Sequence, residues 1–549
     1  MRRSLTLLLA ALLVTSLVAP AAAASPASAS PASLPAETAS GPTNVEATSV
    51  GTTNVDATNG SATSDDEVGV WKGTRHNESI DVDQSDGLSQ TELEKVVHRA
   101  MARVEYVHER PFKKDLQVET MTREEYKKTV ASRESNATHK RWNDQVWEAL
   151  FMVGENRSAA KALETVYGGS VTGFYSPSKG KIVLVVAEGE KLQISEATLI
   201  HELTHAMQDQ YHNLSSSKYV GATQDDSLAI DGVVEGEANY IEDRYNARCG
   251  AEWECLPKPE SSTSGSGEVH LGILITVLNP YSDGPVYVAD LIEEGGWAAV
   301  NERMENPPTS TSQVIHRNDS YATTEIEFED TATGGWETYP NQGQNGAETV
   351  GEASIFSMFW YQSREYGANT FDWKKVLFNT SHPNDTYNYA HESSAGWAGD
   401  KLYPYRNDEG DAKRDGYVWV TEWQTPKDAR QFHQTYLTML EAHDVTHLEN
   451  GVYKVPSGPF RGAYGIERDG TRVTIVHAQK PADVLELRPG IELQKPTPTE
   501  TGTTEATETT DASSTTETTT TTSATSAPGF GVVVAFAALV ATALLARRQ

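Results

Sequence analysis

The stretch that decides the reading is LIHELTHAMQDQYHNL, residues 199–214. Ser195 ahead of it is a good N-cap type, and Ile194 and Leu199 stand at hydrophobic-staple positions, so a helix opens here. On that helix His201 and His205 project from one face, one turn apart, a spacing at which two imidazoles can grip one metal ion. Glu202 lies about 100° round the same helix, beside such an ion but not bound to it. There it can take a proton from an attacking water and later hand it to a leaving amine. Zinc is the ion this chemistry asks for, because it polarises a carbonyl and acidifies water near neutral pH. Leu199, Leu203 and Ala206 give the helix a face to bury, which two surface histidines and a salt-bridging glutamate would not need.

A zinc site needs a third protein donor. His212 lies seven residues beyond His205, about 10 Å further along a continuing helix, and cannot reach the same ion. A metzincin arrangement also fails, since Gln208 stands where its turn-making glycine would be and Tyr211 where its third histidine would be. Downstream, SLAIDGVVEGEANYIEDRYNA, residues 227–247, reads as a second amphipathic helix with Leu228, Val234, Ala238 and Ile241 available to pack. Glu235 on that helix is our third ligand, completing a His₂Glu set. Gly236 beside it has no side chain to hold the two helices apart. Asp231, Glu237, Glu242 and Asp243 stay open as alternatives, and Asp231 could instead orient a ligand histidine from behind.

With these residues in place the chain resembles a gluzincin metallopeptidase. The resemblance is carried by His201-Glu202-Leu203-Thr204-His205-Ala206 and Glu235-Gly236-Glu237-Ala238, and by the GFY…GKIVLV strands upstream, which are similar to the edge-strand region over the metal in that fold. Residues 279–316 and 396–432 also resemble exported HExxH proteins, so the likeness spans most of 165–480. It implies that His201, His205 and Glu235 bind Zn²⁺ and that Glu202 is the general base, acting on a protein or peptide substrate. Tyr281, Tyr287 and His316 are candidates to stabilise the oxyanion. The rival expectation is a non-catalytic surface protein that keeps a zincin fold for structure or binding.

The rest of the body reads as mixed α+β. Val171–Tyr175 and Lys181–Ala187 form a hairpin about a Pro177–Gly180 turn. Leu88-Ser89-x-x-Glu92-Leu93 combines a capping box and a staple, starting a helix near Gln90. Trp142, Val146, Leu150 and Phe151 mark another helix, and Tyr417–Trp423, Ala429–Leu440 and Arg472–Val476 read as strand, helix and strand. We therefore expect a zincin-like domain over 86–330, a mixed sheet plus the active-site helix, and a second α+β lobe over 331–495 with the cleft between them. Trp297, Trp397, Trp419 and Trp423 read as core, with Gly295-Gly296 and Gly396 as turns. Cys249 and Cys255, the only two cysteines, exclude a disulfide scaffold or a multi-cysteine metal site and, in an exported chain, would pair with each other.

The ends read as addresses. Residues 1–24 have the layout of an export signal, a basic start followed by an apolar run and small residues. Residues 25–85 are a low-complexity linker, and 496–527 a Thr-rich stalk suited to O-glycosylation. Gly529–Ala546 is an uncharged run long enough to cross a bilayer, with Arg547 and Arg548 on its inner side. Pro528-Gly529-Phe530, that apolar run and the basic end, residues 528–549, resemble the archaeosortase sorting signal of haloarchaeal surface proteins. This implies contact with the export machinery, processing by archaeosortase, and anchoring at the cell surface by the C-terminal helix or by lipid after its removal. Eight N-x-S/T sequons suit such a chain. The charge balance, 45 − 77 = −32, excludes nucleic acid as a partner, since no Lys/Arg cluster is present to meet phosphates. It reads as adaptation to concentrated salt, where a Debye length of about 3 Å leaves little steering.

Overall fold

The computed structural model describes residues 67–495, apart from 132–135, 168–172, 187–188, 190, 260–268, 381, 383 and 410–412. The expected export signal, stalk and sorting signal lie outside the described residues. Among the described residues no helix is long and apolar enough to cross a membrane.

The fold starts ahead of position 86. Strand β1 (Val70–Trp71) pairs with β2 (Thr74–Arg75) in an antiparallel ribbon, inside the segment read as linker. That segment has few apolar residues, but Val70 is buried and Trp71, Ile80 and Val82 pack against the core, and polar groups hold the rest. The next helix, α1 (Gln90–His108), starts with the expected capping box between Ser89 and Glu92. From α1, Arg103 Nε donates to the His76 carbonyl at 2.9 Å, and Tyr106 stacks on the His76 ring at 3.7 Å.

Strand β3 (Gln117–Thr122), α2 (Arg123–Ala131), α3 (Ala137–Ala149) and α4 (Ala159–Tyr167) lead into β4 (Gly173–Ser176) and β5 (Lys181–Val186). The hairpin forms as expected, with Tyr175 opposite Ile182. β3, which the sequence reading passed over, adds in parallel to the other side of β5. The sheet order is β3-β5-β4, so β4 is an edge strand. Helix α5 (Glu196–His212) follows, capped by Ser195, whose side chain accepts from the Thr198 amide. Then come α6 (Gln224–Arg248) and α7 (Leu271–Glu305), the latter carrying Pro280 and Pro285 and a break at Gly296.

The close approach at Gly236 is to α7, not to α5. A Cβ there would stand 2.6 Å from the Gly284 carbonyl, and one on Gly284 would stand 2.5 Å from the Gly232 carbonyl. Bare backbone on both helices is what lets α6 and α7 pack at this distance.

Beyond the short α8 (Thr311–Ile315), α9 (Gly351–Tyr366) runs through the middle of the molecule, with Ala353, Ile355, Phe356, Met358, Phe359 and Trp360 wholly buried. Its buried N-terminal end is satisfied by Asp400, which accepts from the amides of Val350 and Gly351 at 3.1 and 3.0 Å. Helix α10 (Trp373–Leu377) precedes the strands β6 (Trp397–Asn407) and β7 (Arg414–Trp423) and helix α11 (Pro426–Glu441). Strands β8 (Thr446–His447), β9 (Tyr453–Val455), β10 (Gly462–Asp469) and β11 (Arg472–Ala478) complete the second sheet, and α12 (Pro481–Leu487) follows. This sheet is antiparallel throughout, in the order β6-β7-β11-β10-β9-β8.

The class is mixed α+β, as expected, but the cores divide the chain differently from a cut at 331. One core gathers α1, β4, β5, α5, α6 and the C-terminal half of α7. A second joins α3, α4, Ile273–Val277 of α7 and α9 to the six-stranded sheet and α11, and a third packs α12 and Trp336 on strands of the same sheet. α7 threads the first two, its apolar run before Pro280 belonging to one and its run after Pro285 to the other.

Candidate metal centre

Two helices bring the three predicted ligands together. α5 offers His201 and His205 from adjacent turns, and α6 crosses them with Glu235. His201 Nε2 lies 3.2 Å and His205 Nε2 3.3 Å from Glu235 Oε2, and the two imidazole nitrogens are 3.0 Å apart. A tetrahedral zinc with bonds of about 2.0–2.1 Å has ligand atoms about 3.3–3.4 Å apart, so this triangle is close to the face such an ion would occupy. Among the described residues, this is the one group of three or more His, Cys, Asp or Glu side chains with donor atoms so close together.

The electrostatics of the cluster invite a cation. Burial works against charge on His201, yet Glu235 and Glu242 beside it raise its pKa to about 10. Burial likewise opposes the Glu235 carboxylate, and the two histidines outweigh it, holding the group well below the usual carboxylate range. The carboxylate and the imidazoles thus each favour the other's charged form, and a metal ion bound here would take the place of the protons on the histidines.

Glu202 is as buried as the ligands, at 4 % exposure. Burial raises its pKa to about 7, against the pull of the neighbouring histidines. One oxygen, Oε2, accepts the Tyr175 amide of the edge strand at 2.7 Å. The Tyr175 hydroxyl donates to Asp209 at 2.7 Å, two turns further along α5. Two bonds from one residue thus clamp β4 over the helix and fix the rotamer of Glu202.

The remaining acidic candidates are placed elsewhere. Glu237 accepts from His108 at 2.7 Å and from Gln208 at 3.1 Å. Glu242 Oε2 stands 3.5 Å from His201 Nδ1, long for a hydrogen bond. Asp243 is exposed and Asp231 half-buried. The residues facing the ring nitrogens from behind are therefore Gln208 and Glu242. The sequence reading noticed Gln208 only for the glycine it replaces and did not name His108. His212, as expected, is remote from the centre and pairs with Glu305 at 2.8 Å.

Two oxyanion candidates are committed to other partners. The Tyr287 hydroxyl donates to Asp319. His316 Nε2 sits 2.9 Å from Glu352, and its ring stacks on Tyr321. Tyr281 lies half-buried on α7.

Cys249 and Cys255 are joined, with Cα atoms 5.5 Å apart. The residue that follows the closed loop reaches back to the metal-site helix. Leu256 N–H donates to Glu196, in the first turn of α5, at 3.0 Å. Arg99 and Arg103 pair with the same carboxylate at 3.1 and 2.5 Å, and all three side chains are almost fully buried.

Comparison with known proteins touches other parts of the chain. A domain of unknown function, DUF8575, matches residues 313–488. The PGF-CTERM motif matches residues 527–549. No curated protein and no solved structure matches. The motif at the end makes this a surface-anchored protein processed by archaeosortase. The DUF8575 match stops short of α5 and α6, so the metal centre rests on its own geometry.

Proposed function

We propose that this protein is a cell-surface zinc metallopeptidase of the gluzincin kind, with a zincin-like arrangement of edge strand, HExxH helix and Glu helix. The observation that carries the reading is the convergence of His201, His205 and Glu235 within 3.0–3.3 Å of one another, with Glu202 buried beside them. Three protein donors, rather than four, leave a coordination position open, which is how catalytic zinc sites differ from structural ones. When bound there, zinc supplies Lewis acidity toward a carbonyl and toward water.

The chain's own residues supply the proton transfers. Glu202, held by the Tyr175 amide on one oxygen, takes the proton of the attacking water on its other oxygen, Oε1. It then passes that proton to the departing amine nitrogen, so the peptide bond is hydrolysed with the base restored. His201 and His205 act as neutral nitrogen donors, and Glu235 contributes the charge that offsets the ion. The Thr-rich stalk presents the domain outside the cell.

One observation favours the rival reading, a surface protein that keeps the metal for structure or binding. His201, His205 and Glu235 are only 2 %, 1 % and 2 % exposed, so a substrate must displace something to reach them. The full chain, purified in concentrated salt, separates the two when given an unfolded protein substrate. The peptidase reading expects cleavage that a chelator stops, and a loss of about 10²–10⁴-fold in Glu202→Gln with zinc retained. A zinc-loaded wild type inert toward a broad peptide library would favour the non-catalytic reading.

A further inference from the structure

We propose that Gln208, backed by Glu237 and His108, fixes His205 in the tautomer protonated on Nδ1, so that Nε2 is the nitrogen offered toward Glu235 and His201. Two of the atoms around this amide can only accept. Gln208 Nε2 lies 2.8 Å from the Val234 carbonyl, and a carbonyl has no proton to give. The amide face turned to Val234 is therefore the NH₂, and the opposite face is the Gln208 carbonyl. That carbonyl, Oε1, stands 2.9 Å from His205 Nδ1. An acceptor at that distance requires the proton on Nδ1, which leaves Nε2 with its lone pair free.

The rest of the chain holds the amide in that orientation. Gln208 Nε2 also donates to Glu237 Oε2 at 3.1 Å, and Glu237 Oε1 accepts from His108 Nε2 at 2.7 Å. His108 is itself stacked on Trp297, with ring centroids 4.1 Å apart. Gln208 belongs to α5, Val234 and Glu237 to α6, His108 to α1 and Trp297 to α7, so four helices agree on one amide orientation. Gln208 is 2 % exposed, Glu237 2 % and His108 3 %, so no bulk water competes for these bonds. Val234 and Glu237 also bracket Glu235, so the same amide ties the helix of two ligands to the helix of the third. His201 has no such hold, with Glu242 the nearest group behind it at 3.5 Å. The two histidines are thus held unequally, and Gln208 is a positioning residue for His205 alone.

The test has two arms, and only the second rests on the metallopeptidase reading. In the first, long-range proton–nitrogen NMR on the full chain with labelled histidine is recorded without metal, on the alkaline side where the imidazole is neutral. His205 is expected as the Nδ1–H tautomer in the wild type and as a mixture in Gln208→Met, which keeps the volume and removes the acceptor. In the second, zinc affinity is measured by competition with a chromophoric chelator, and Gln208→Met is expected to lose about 10–100-fold. His108→Phe, which keeps a ring on Trp297 but removes the donor to Glu237, is expected to lose several-fold. It gives an independent reading should Gln208→Met fail to fold. An Nε2–H tautomer in the wild type, or variants that keep both the tautomer and the affinity, would overturn the proposal. A wild type that takes up no zinc while showing the Nδ1–H tautomer would instead sink the metallopeptidase reading and leave the hydrogen-bond assignment standing.

Discussion

Replacing Gly236 by alanine tests the packing that holds Glu235 in place. The new methyl would sit 2.6 Å from the Gly284 carbonyl, where ordinary contact begins near 3.4 Å, so α6 and α7 must part by about 0.8 Å (3.4 − 2.6). The obstructing atoms are backbone and cannot rotate aside, which places the overpacking cost near the upper end of the usual range, about 3 kcal/mol. Alanine returns about 1 kcal/mol through helix propensity, leaving a net loss of about 2 kcal/mol. Because Glu235 is the neighbouring residue, the displacement also moves its carboxylate by more than the roughly 0.2 Å that a zinc site tolerates. Gly284→Ala should behave alike, since its methyl meets the Gly232 carbonyl at 2.5 Å, although Gly284 lies on neither ligand helix. Denaturant unfolding in concentrated salt measures the first effect and chelator competition the second. If both variants gain about 1 kcal/mol, as propensity alone would give, then α6 and α7 do not touch here and the reasoning is wrong.

Three further outcomes are expected. Glu196→Gln leaves Arg99 and Arg103 buried without a carboxylate and should cost about 3–5 kcal/mol, even in concentrated salt, because the buried pair is poorly screened. A loss below about 1 kcal/mol in unfolding experiments would contradict this. Burial, with Glu155, Asp415 and Asp144 nearby, raises the pKa of Glu148 to about 8, so the folded chain keeps a proton there that the unfolded chain releases near the ordinary value of about 4.3. Stability should then fall as pH rises between those values, and Glu148→Gln should flatten that fall and be the more stable form above about pH 8; parallel pH profiles for the two would count against it. Opening the Cys249–Cys255 loop by a double Cys→Ser change should cost about 2 kcal/mol, from the entropy of a loop of roughly seven residues, and identical denaturation midpoints would show the bond to be idle.

The sequence was most informative where one helix signals itself locally. Ser195, the staple and the histidine spacing placed α5, and the capping box placed α1, because caps and periodicity are properties of neighbouring residues. The same holds for the β4–β5 hairpin and its turn. Parallel pairing is not local, and β3 joins β5 only across an intervening run of helices. The linker reading ended too late because composition does not show which few side chains find a distant partner: Val70 is buried, Trp71, Ile80 and Val82 pack on the core of later helices, and Arg103 of α1 holds the His76 carbonyl. Gly295-Gly296 read as a turn, and the backbone of α7 does leave helical geometry at Gly296, though the helix runs on to Glu305 beyond it. Glu235 was legible as a candidate from its helix and its distance downstream of the histidines. Gln208, Glu237 and His108 were not, since a side chain's role behind a ligand depends on which helices cross. Gly236 was rightly taken as a close approach, but a glycine does not say which helix comes near.

If His201, His205 and Glu235 hold one zinc ion, metal analysis of the full chain will find it. The protein would be purified in concentrated salt without chelator, beside Glu235→Gln, which preserves shape and removes the charge. About one zinc per wild-type chain is expected, with a large loss of zinc in the variant and both folded. A metal-free wild type, or a variant that keeps its zinc undiminished, would contradict that expectation.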